Sequence, residues 1–581
     1  MVLAKRKNLW TKQQLRQHVQ VVSGELPPSI VFYNATYLNN GLKKWVTSNI
    51  WVYEDRIVYV GDDLPEKHPS TEWIDCYGKY LVPGYIEPHA HPFQLYNPLT
   101  LARYASQRGT TTMMNDNLLF LLGLTKEKAL TLIEDLDQYP VSMYWWARYD
   151  SQTQLLDEEA ITNKNMKEWL AHPLVIQGGE LTAWPDVLGG DDEILEWMQE
   201  TRRLGKPVEG HLPGASLATL TKMGLLGVSC DHEAMTGEEA LRRLEMGMMT
   251  SLRYSSIRPD LPVILESLLK KGVTSFDRVM MNTDGSTPSF LENGTTDKLI
   301  AIALEKGVPS EDAYSMVSYN VANHYGISDT HGMIAPGRVA HINILASKED
   351  PLPVSVLARG KWLKRDRDEV EQDWSFDWEG HGLSPLDNSW EIQSNDLTFS
   401  GPAGIEMVNA VITKPYNLSV ETSVEELPSG SDESFMMLLS REGKWRVNTI
   451  IKGFANQVKG FASSFSNTGD FIIIGKNKAD MMTAFNRINE IGGGISLVED
   501  GEVISEIKLP LMGKMSDLPL EELIKVEKRM IQELEDRGYL YKDPVYSLLF
   551  FSSTHLPFIR LTQQGIYDVK RKMVLFPSIM R

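Results

Sequence analysis

Eight short apolar runs, each ending in polar residues, alternate with helix-like segments between about Pro83 and His331, and this rhythm constrains the fold more than any other feature. The runs are LVPGYIEPHAH, GTTTMMND, PVSMYWWA, PLVIQGGE, KPVEGH, LGVSCDHE, GMMTSLRY and RVMMNTD. Between them, segments such as TKEKALTLIEDLDQ, DDEILEWMQETRRLG, ASLATLTKMG, TGEEALRRLEMG and LPVILESLLKKG carry apolar residues at helical spacing. Strands of this kind alternating with helices favour a parallel sheet, and eight units over ~250 residues predict a (β/α)8 barrel with functional side chains at the C-terminal ends of its strands.

The flanks read differently. IVFYNATYLNN, SNIWVYEDRIVYVGDD and KYLVPGYI, before the barrel, have short-strand patterns, and GMIAPGRVAHINIL with VSVLARGKWL predicts two further strands after it. Strand-rich segments on both sides of a barrel imply a small composite β domain into which the barrel is inserted. The expected organisation is an N-terminal amphipathic helix and first β segment over 1–82, the α/β barrel over 83–331 and the returning strands over 332–365. An acidic, aromatic linker follows over 366–401, then an α+β domain over 402–581. In that last domain Phe454 and Ser463–Asp470 are candidates to reach over the barrel mouth. Gly492, Gly493 and Gly494 follow a helix and lack a Lys-Ser/Thr ending, so they predict a turn and not a phosphate loop.

Composition narrows the chemistry. The two cysteines, Cys76 and Cys230, form no C-x-x-C pair, which fits a reducing compartment and removes thiolate zinc sites and redox dithiols. The zinc site of cytidine-type deaminases, which needs P-C-x-x-C, is excluded with them. A formal charge of -19 argues against a nucleic-acid surface. No apolar stretch approaches the ~18 residues of a membrane span, and the basic start lacks the apolar core of a secretory signal, so a cytoplasmic protein with no membrane association is expected.

Among the 12 histidines, His89, His91, His211 and His232 fall at the ends of predicted strands. Side chains at i and i+2 of a strand share a face, so His89 and His91 in EPHAH can address one cation together. Glu180 ends QGGE, and Asp284 lies in MNTDG at the eighth strand. Any one of these histidines alone would be read as an ordinary hydrogen-bonded residue, and Glu180 alone as a solvated cap. Together, four imidazoles and two carboxylates at one barrel mouth suit one or two first-row divalent ions.

VPGYIEPHAH with HLPG, DHE, NTDG and GMIAPGRVAHINIL resembles the amidohydrolase superfamily. GGELTAWPDVLGG, VEGHLPG and SCDHEAMTGEEALRRLEMGM resemble the adenine deaminase family within it, as do IGGGISLVEDGEVISEIKLPLMGKMSD and RLTQQGIYDV in the last domain. The resemblance covers nearly the whole chain. It implies two divalent ions, Mn or Fe before Zn, with His89 and His91 on one, His211 and His232 on the other, Glu180 bridging and Asp284 completing the set. It further implies Asp284 as proton carrier, Glu233 as a candidate to protonate a ring nitrogen, and hydrolytic release of ammonia from adenine to give hypoxanthine. The partner is then a small purine, and homodimers, common in the superfamily, are allowed although no residue identifies an interface.

The chain departs from the family around these ligands. Asn115-Asp116-Asn117 replaces D-P-H-E, Leu252 to Ser256 replaces I-R-E-G-S, Thr283-Asp284-Gly285-Ser286 replaces T-D-D-R, and Ser466 to Asp470 replaces A-H-D-S-H-N. Deamination of another aminopurine or amino-heterocycle therefore stands as the alternative. A cyclic amidohydrolase would bridge its metals with a carboxylated lysine at the fourth strand, where this chain offers Glu180 and no lysine. A purine-binding protein without turnover would have no use for the full ligand set.

Overall fold

A computed structural model describes residues 10–156, 160–399, 403–418 and 420–581. The eight runs form eight parallel strands in sequential order: β1 Tyr85–Ala90, β2 Thr110–Asp116, β3 Ser142–Ala147, β4 Val175–Leu181, β5 Val208–Gly210, β6 Cys230–Asp231, β7 Met249–Arg253 and β8 Val279–Asn282. A parallel bridge between Ala90 and Asp284 brings the last strand end back to the first. All strand residues are buried, as expected when side chains fill the inside of the barrel and helices cover the outside. Several intervening helices begin on side-chain caps: Thr125, Asp191, Ser216 and Thr236 each accept a hydrogen bond from a backbone amide of the first turn.

A second sheet is built from both flanks of the barrel. Ile342–Leu345 pairs antiparallel with Tyr80–Pro83, joining the strands before the barrel to those after it. Two runs divide where single strands were expected. LVPGYI breaks at Pro83-Gly84, because Pro cannot continue a central ladder and an added Cβ at Gly84 would collide with the Thr111 side chain; Tyr80–Pro83 stays in the outer sheet while β1 enters the barrel. VSVLARGKWL is a hairpin, Ser355–Ala358 and Lys361–Arg365, turning through Arg359 and Gly360 at φ +46° and +72°. The N-terminal helix runs Lys12–Val22 behind a capping box at Thr11 and Gln14; residues 1–9 of the expected helix lie outside the described residues.

The 366–399 segment has little regular structure, yet it is anchored. Trp374 stacks on Tyr139 at 5.7 Å, and buried Asp396 pairs with Arg446 and Arg581 at 3.1 and 2.6 Å. Beyond it a nine-stranded sheet packs against the helix Lys478–Glu490, and the helices Leu520–Asp536 and Pro544–Phe550 lie against the barrel. Ser289 N donates to Glu527 at 2.6 Å and Asn97 Nδ2 to Ser516 O at 2.9 Å across that junction. Gly492 to Gly494 all have positive φ and form the turn after the helix. No helix among the described residues is long and apolar enough to cross a membrane.

Candidate active site

The C-terminal strand ends bring all the sequence-derived residues to one place. His89 lies in β1 and His91 just after it, Glu180 in β4, His211 after β5, His232 and Glu233 after β6, and Asp284 two residues past β8. His89 Nε2 and His91 Nε2 are 3.2 Å apart, and His91 Nε2 is 3.1 Å from Asp284 Oδ1. On the other side His211 Nδ1 and His232 Nε2 are 3.3 Å apart. Glu180 lies between the two pairs: Oε1 contacts His211 Nδ1 and is 3.4 Å from His232 Nε2, and Oε2 is 3.9 and 3.8 Å from the Nε2 atoms of His89 and His91.

The donor set fits divalent cations. Carboxylates only accept hydrogen bonds, so the Nδ1 atoms of His89, His91 and His232, facing Glu209, Asp116 and Glu209 at 3.1, 2.8 and 3.0 Å, carry their protons. In the neutral ring the proton on Nδ1 leaves the Nε2 lone pair on the cluster side, the arrangement that a metal-bound imidazole requires. Two such lone pairs at 3.2 Å repel unless a cation lies against both. Ligand atoms of His89, His91 and Asp284, and of His89, Glu180 and His232, lie within 4.8 Å of one another.

Charges around the cluster keep its carboxylates ionised. Burial opposes ionisation of Glu180, but Arg148 at 3.0 Å from Oε2 and the neighbouring His211 hold the carboxyl well below the usual range. Asp284 is likewise buried and held low by Arg253 and His91. Glu233 is buried between Arg253 and Arg258, at 2.6 and 2.9 Å, and is depressed by Arg253 and His211 in spite of its burial. It is therefore an acceptor at neutral pH and must first take up a proton before it can give one. Asp284 adopts φ +52°, a conformation that Asp tolerates better than most residues.

Backbone anchors fix the loops that present these groups. Asp231 accepts from the amides of Leu212 and Glu233 at 2.8 and 3.0 Å, and buried Arg243 pairs with Asp231 while donating to Leu212 O at 2.8 Å. The ends of β5 and β6, with His211 and His232, are tied together by this one ion pair.

A cavity of about 750 Å3 opens on the cluster, and its far wall comes from the last domain. His555 stands with its ring 5.4 Å from that of His211, and Tyr546, Asn467 and Lys514 line the same space. The expected Ser463–Asp470 stretch contributes Phe465, Ser466 and Asn467. Phe454 does not: it is fully buried and packs on Phe461, Tyr539 and Phe551 in the domain core. Gly285, where the family carries Asp, leaves room for the Tyr546 hydroxyl and Gln94, which an added Cβ would meet.

Several residues of the site escaped the sequence reading. Glu209 had a signal, since it stands two positions before His211 and shares its strand face. Asp116 ends β2 as the ligands end theirs. Asp116 and Arg253 lie in stretches set apart as departures from the family but were given no role; Arg148, Tyr546 and His555 have no local pattern that marks them, and only the tertiary fold brings them to the mouth.

A parallel barrel presenting four imidazoles and two bridging or flanking carboxylates at its C-terminal face defines a metal-dependent barrel hydrolase. Residues 80–363 match the amidohydrolase family, and residues 410–573 match the adenine deaminase C-terminal domain. A Halalkalibacterium halodurans protein named as a candidate adenine deaminase is 57% identical over 100% of both chains. A similarly named Bacillus subtilis protein is 51% identical over 98% of this chain and 99% of its own. The adenine deaminase of Ruegeria pomeroyi is 25% identical over 95% of each. The chain belongs to the adenine deaminase family of the amidohydrolases. It is a hydrolase acting on C–N bonds, and the family implies divalent metal binding.

Proposed function

We propose that this chain deaminates adenine hydrolytically to hypoxanthine and ammonia, using two divalent ions, Mn or Fe before Zn, held by His89, His91, Glu180, His211, His232 and Asp284. The observation that carries the reading is Glu180, whose two oxygens each address a different histidine pair. Divalent ions at such a centre lower the pKa of bound water and supply a nucleophile at neutral pH. Asp284, beside His91 and free of a protonated resting state, takes the proton of the attacking water and returns it to the departing amine. The C6–O bond forms first and the C6–N bond breaks afterwards, as the amine is protonated, so that one water is consumed for each ammonia released. Arg253 touches both Asp284 and Glu233, so it keeps the two carboxylates on the same side of the substrate space. Glu233, once protonated, serves a ring nitrogen.

The test is ammonia and hypoxanthine release from adenine by protein loaded separately with Mn, Fe or Zn. Turnover is expected, and Asp284→Asn should lower it by ~10²–10⁴-fold, the scale of general acid–base catalysis. A second reading rests on the cavity: about 750 Å3 accommodates a drug-sized ligand and so more than one bare bicyclic base. Absence of adenine turnover from protein that holds two ions would transfer the assignment to a larger amino-heterocycle.

A further inference from the structure

Glu209 is 1% exposed and makes contact with neither the cavity nor solvent, yet it touches both halves of the histidine cluster. Its Oε2 faces His89 Nδ1 at 3.1 Å and its Oε1 faces His232 Nδ1 at 3.0 Å. Gln177 Nε2 donates to Oε2 at 2.7 Å, and Gln177 Oε1 in turn accepts from Tyr325 at 2.8 Å, so the carboxylate cannot rotate to favour one histidine. The imidazole rings it aligns, those of His89 and His232, lie 4.1 Å apart. His91, by contrast, is aligned by a different carboxylate, Asp116, at 2.8 Å.

We infer that Glu209 is a positioning residue that couples the two metal positions. One carboxylate fixes the tautomer and ring direction of one ligand from each, and because it is held in one orientation, an ion that draws a ring into place at either position shifts a ligand of the other through it. Loading of the two ions is then cooperative. This rests on the two-ion reading above. Glu87 lies in the strand of His89 but accepts from the amides of His89 and Thr283 and holds no ring nitrogen, so the coupling runs through Glu209.

The experiment is titration of chelator-stripped, full-length protein with Co2+, following the visible ligand-field spectrum together with bound metal per chain. Wild type should take two ions per chain along a cooperative curve. Glu209→Gln should weaken both positions by ~10–100-fold, the usual effect of losing an outer-shell partner, and remove the cooperativity. Asp116→Asn should weaken one position and leave the other. Gln177→Met, which frees the carboxylate without removing it, should reproduce the loss of cooperativity more mildly and serves if Glu209→Gln fails to fold. Two ions in wild type with only one weakened in Glu209→Gln, or with independent binding throughout, would overturn the coupling. Fewer than two ions in wild type would instead overturn the two-ion reading on which it stands.

Discussion

Arg148 is 1% exposed and, among the described residues, is the one guanidinium that reaches both the orienting carboxylate Asp116, at 2.8 Å, and Glu180, at 3.0 Å. Burial weakens its charge less than these carboxylates strengthen it, and its pKa is raised. Replacing it with Met would strand two buried anions, so Arg148→Met should cost about 3–5 kcal/mol in metal-free protein, read from urea unfolding. Saturating Mn should recover part of that loss, because cations at the cluster then face Glu180. An equal cost with and without Mn would separate Arg148 from the metal centre. At this scale the sequence exposed the ligands and, as departures from the family, part of the wall: Arg253, Ser255, Ser466 and Asn467 line the cavity. His89, His91, His211, His232 and Asp284 were readable because each terminates an apolar run whose alternation tells which face it shares. Tyr546 and His555 approach the same point from a segment hundreds of residues away, and no short-range periodicity encodes that approach.

Among the elements, the eight barrel strands and the principal helices between them follow the apolar pattern closely, since burial on both faces leaves few other arrangements. The pattern fails where a run of one character serves two sheets or two strands. KYLVPGYI and VSVLARGKWL each read as continuous, and each is divided by backbone demands at Gly84 and Gly360 that hydropathy does not carry. Glycines decide another contact in the last domain. At Gly493, φ is +115° and a Cβ would lie 2.5 Å from Gly513 Cα and 3.0 Å from Leu509 O, backbone that cannot step aside cheaply. That approach seats the turn carrying Lys514 at the cavity wall. Gly493→Ala should therefore cost about 1–3 kcal/mol and raise the KM for substrate more than it lowers kcat, measured by unfolding and steady-state assays. Unchanged KM in a destabilised variant would detach this turn from substrate binding.

For the whole molecule, the seam between the outer sheet and the base of the barrel is set with neutral histidines. His331 Nε2 and His341 Nε2 lie 3.3 and 3.1 Å from the Ser142 hydroxyl, beside Arg359. Burial, reinforced by Arg359, pushes His331 down to about 3, and His341 is also held well below its usual value. An unfolded chain binds protons at these rings near pH 6.5 while the folded chain does not. Their contribution is thus full above pH 6.5 and is lost progressively as pH falls toward 3. The urea midpoint should drop between pH 7 and pH 5, and His331→Gln should flatten that slope. A wild-type midpoint insensitive to pH over this interval would rule the histidines out as its source.

The pairing of Tyr80–Pro83 with Ile342–Leu345 also sets an order of events during synthesis. The early strands leave the ribosome without their central partner, and the whole barrel must be translated before it arrives, tens of seconds at ~5–20 residues per second. Throughout that interval the backbone of Tyr80–Pro83 is an open sheet edge, able to pair with any extended chain nearby. The barrel is translated before the sheet that cradles it can close, so that sheet is sealed from the two ends of the insertion, and the nascent chain depends on protection of one four-residue edge until that seal forms.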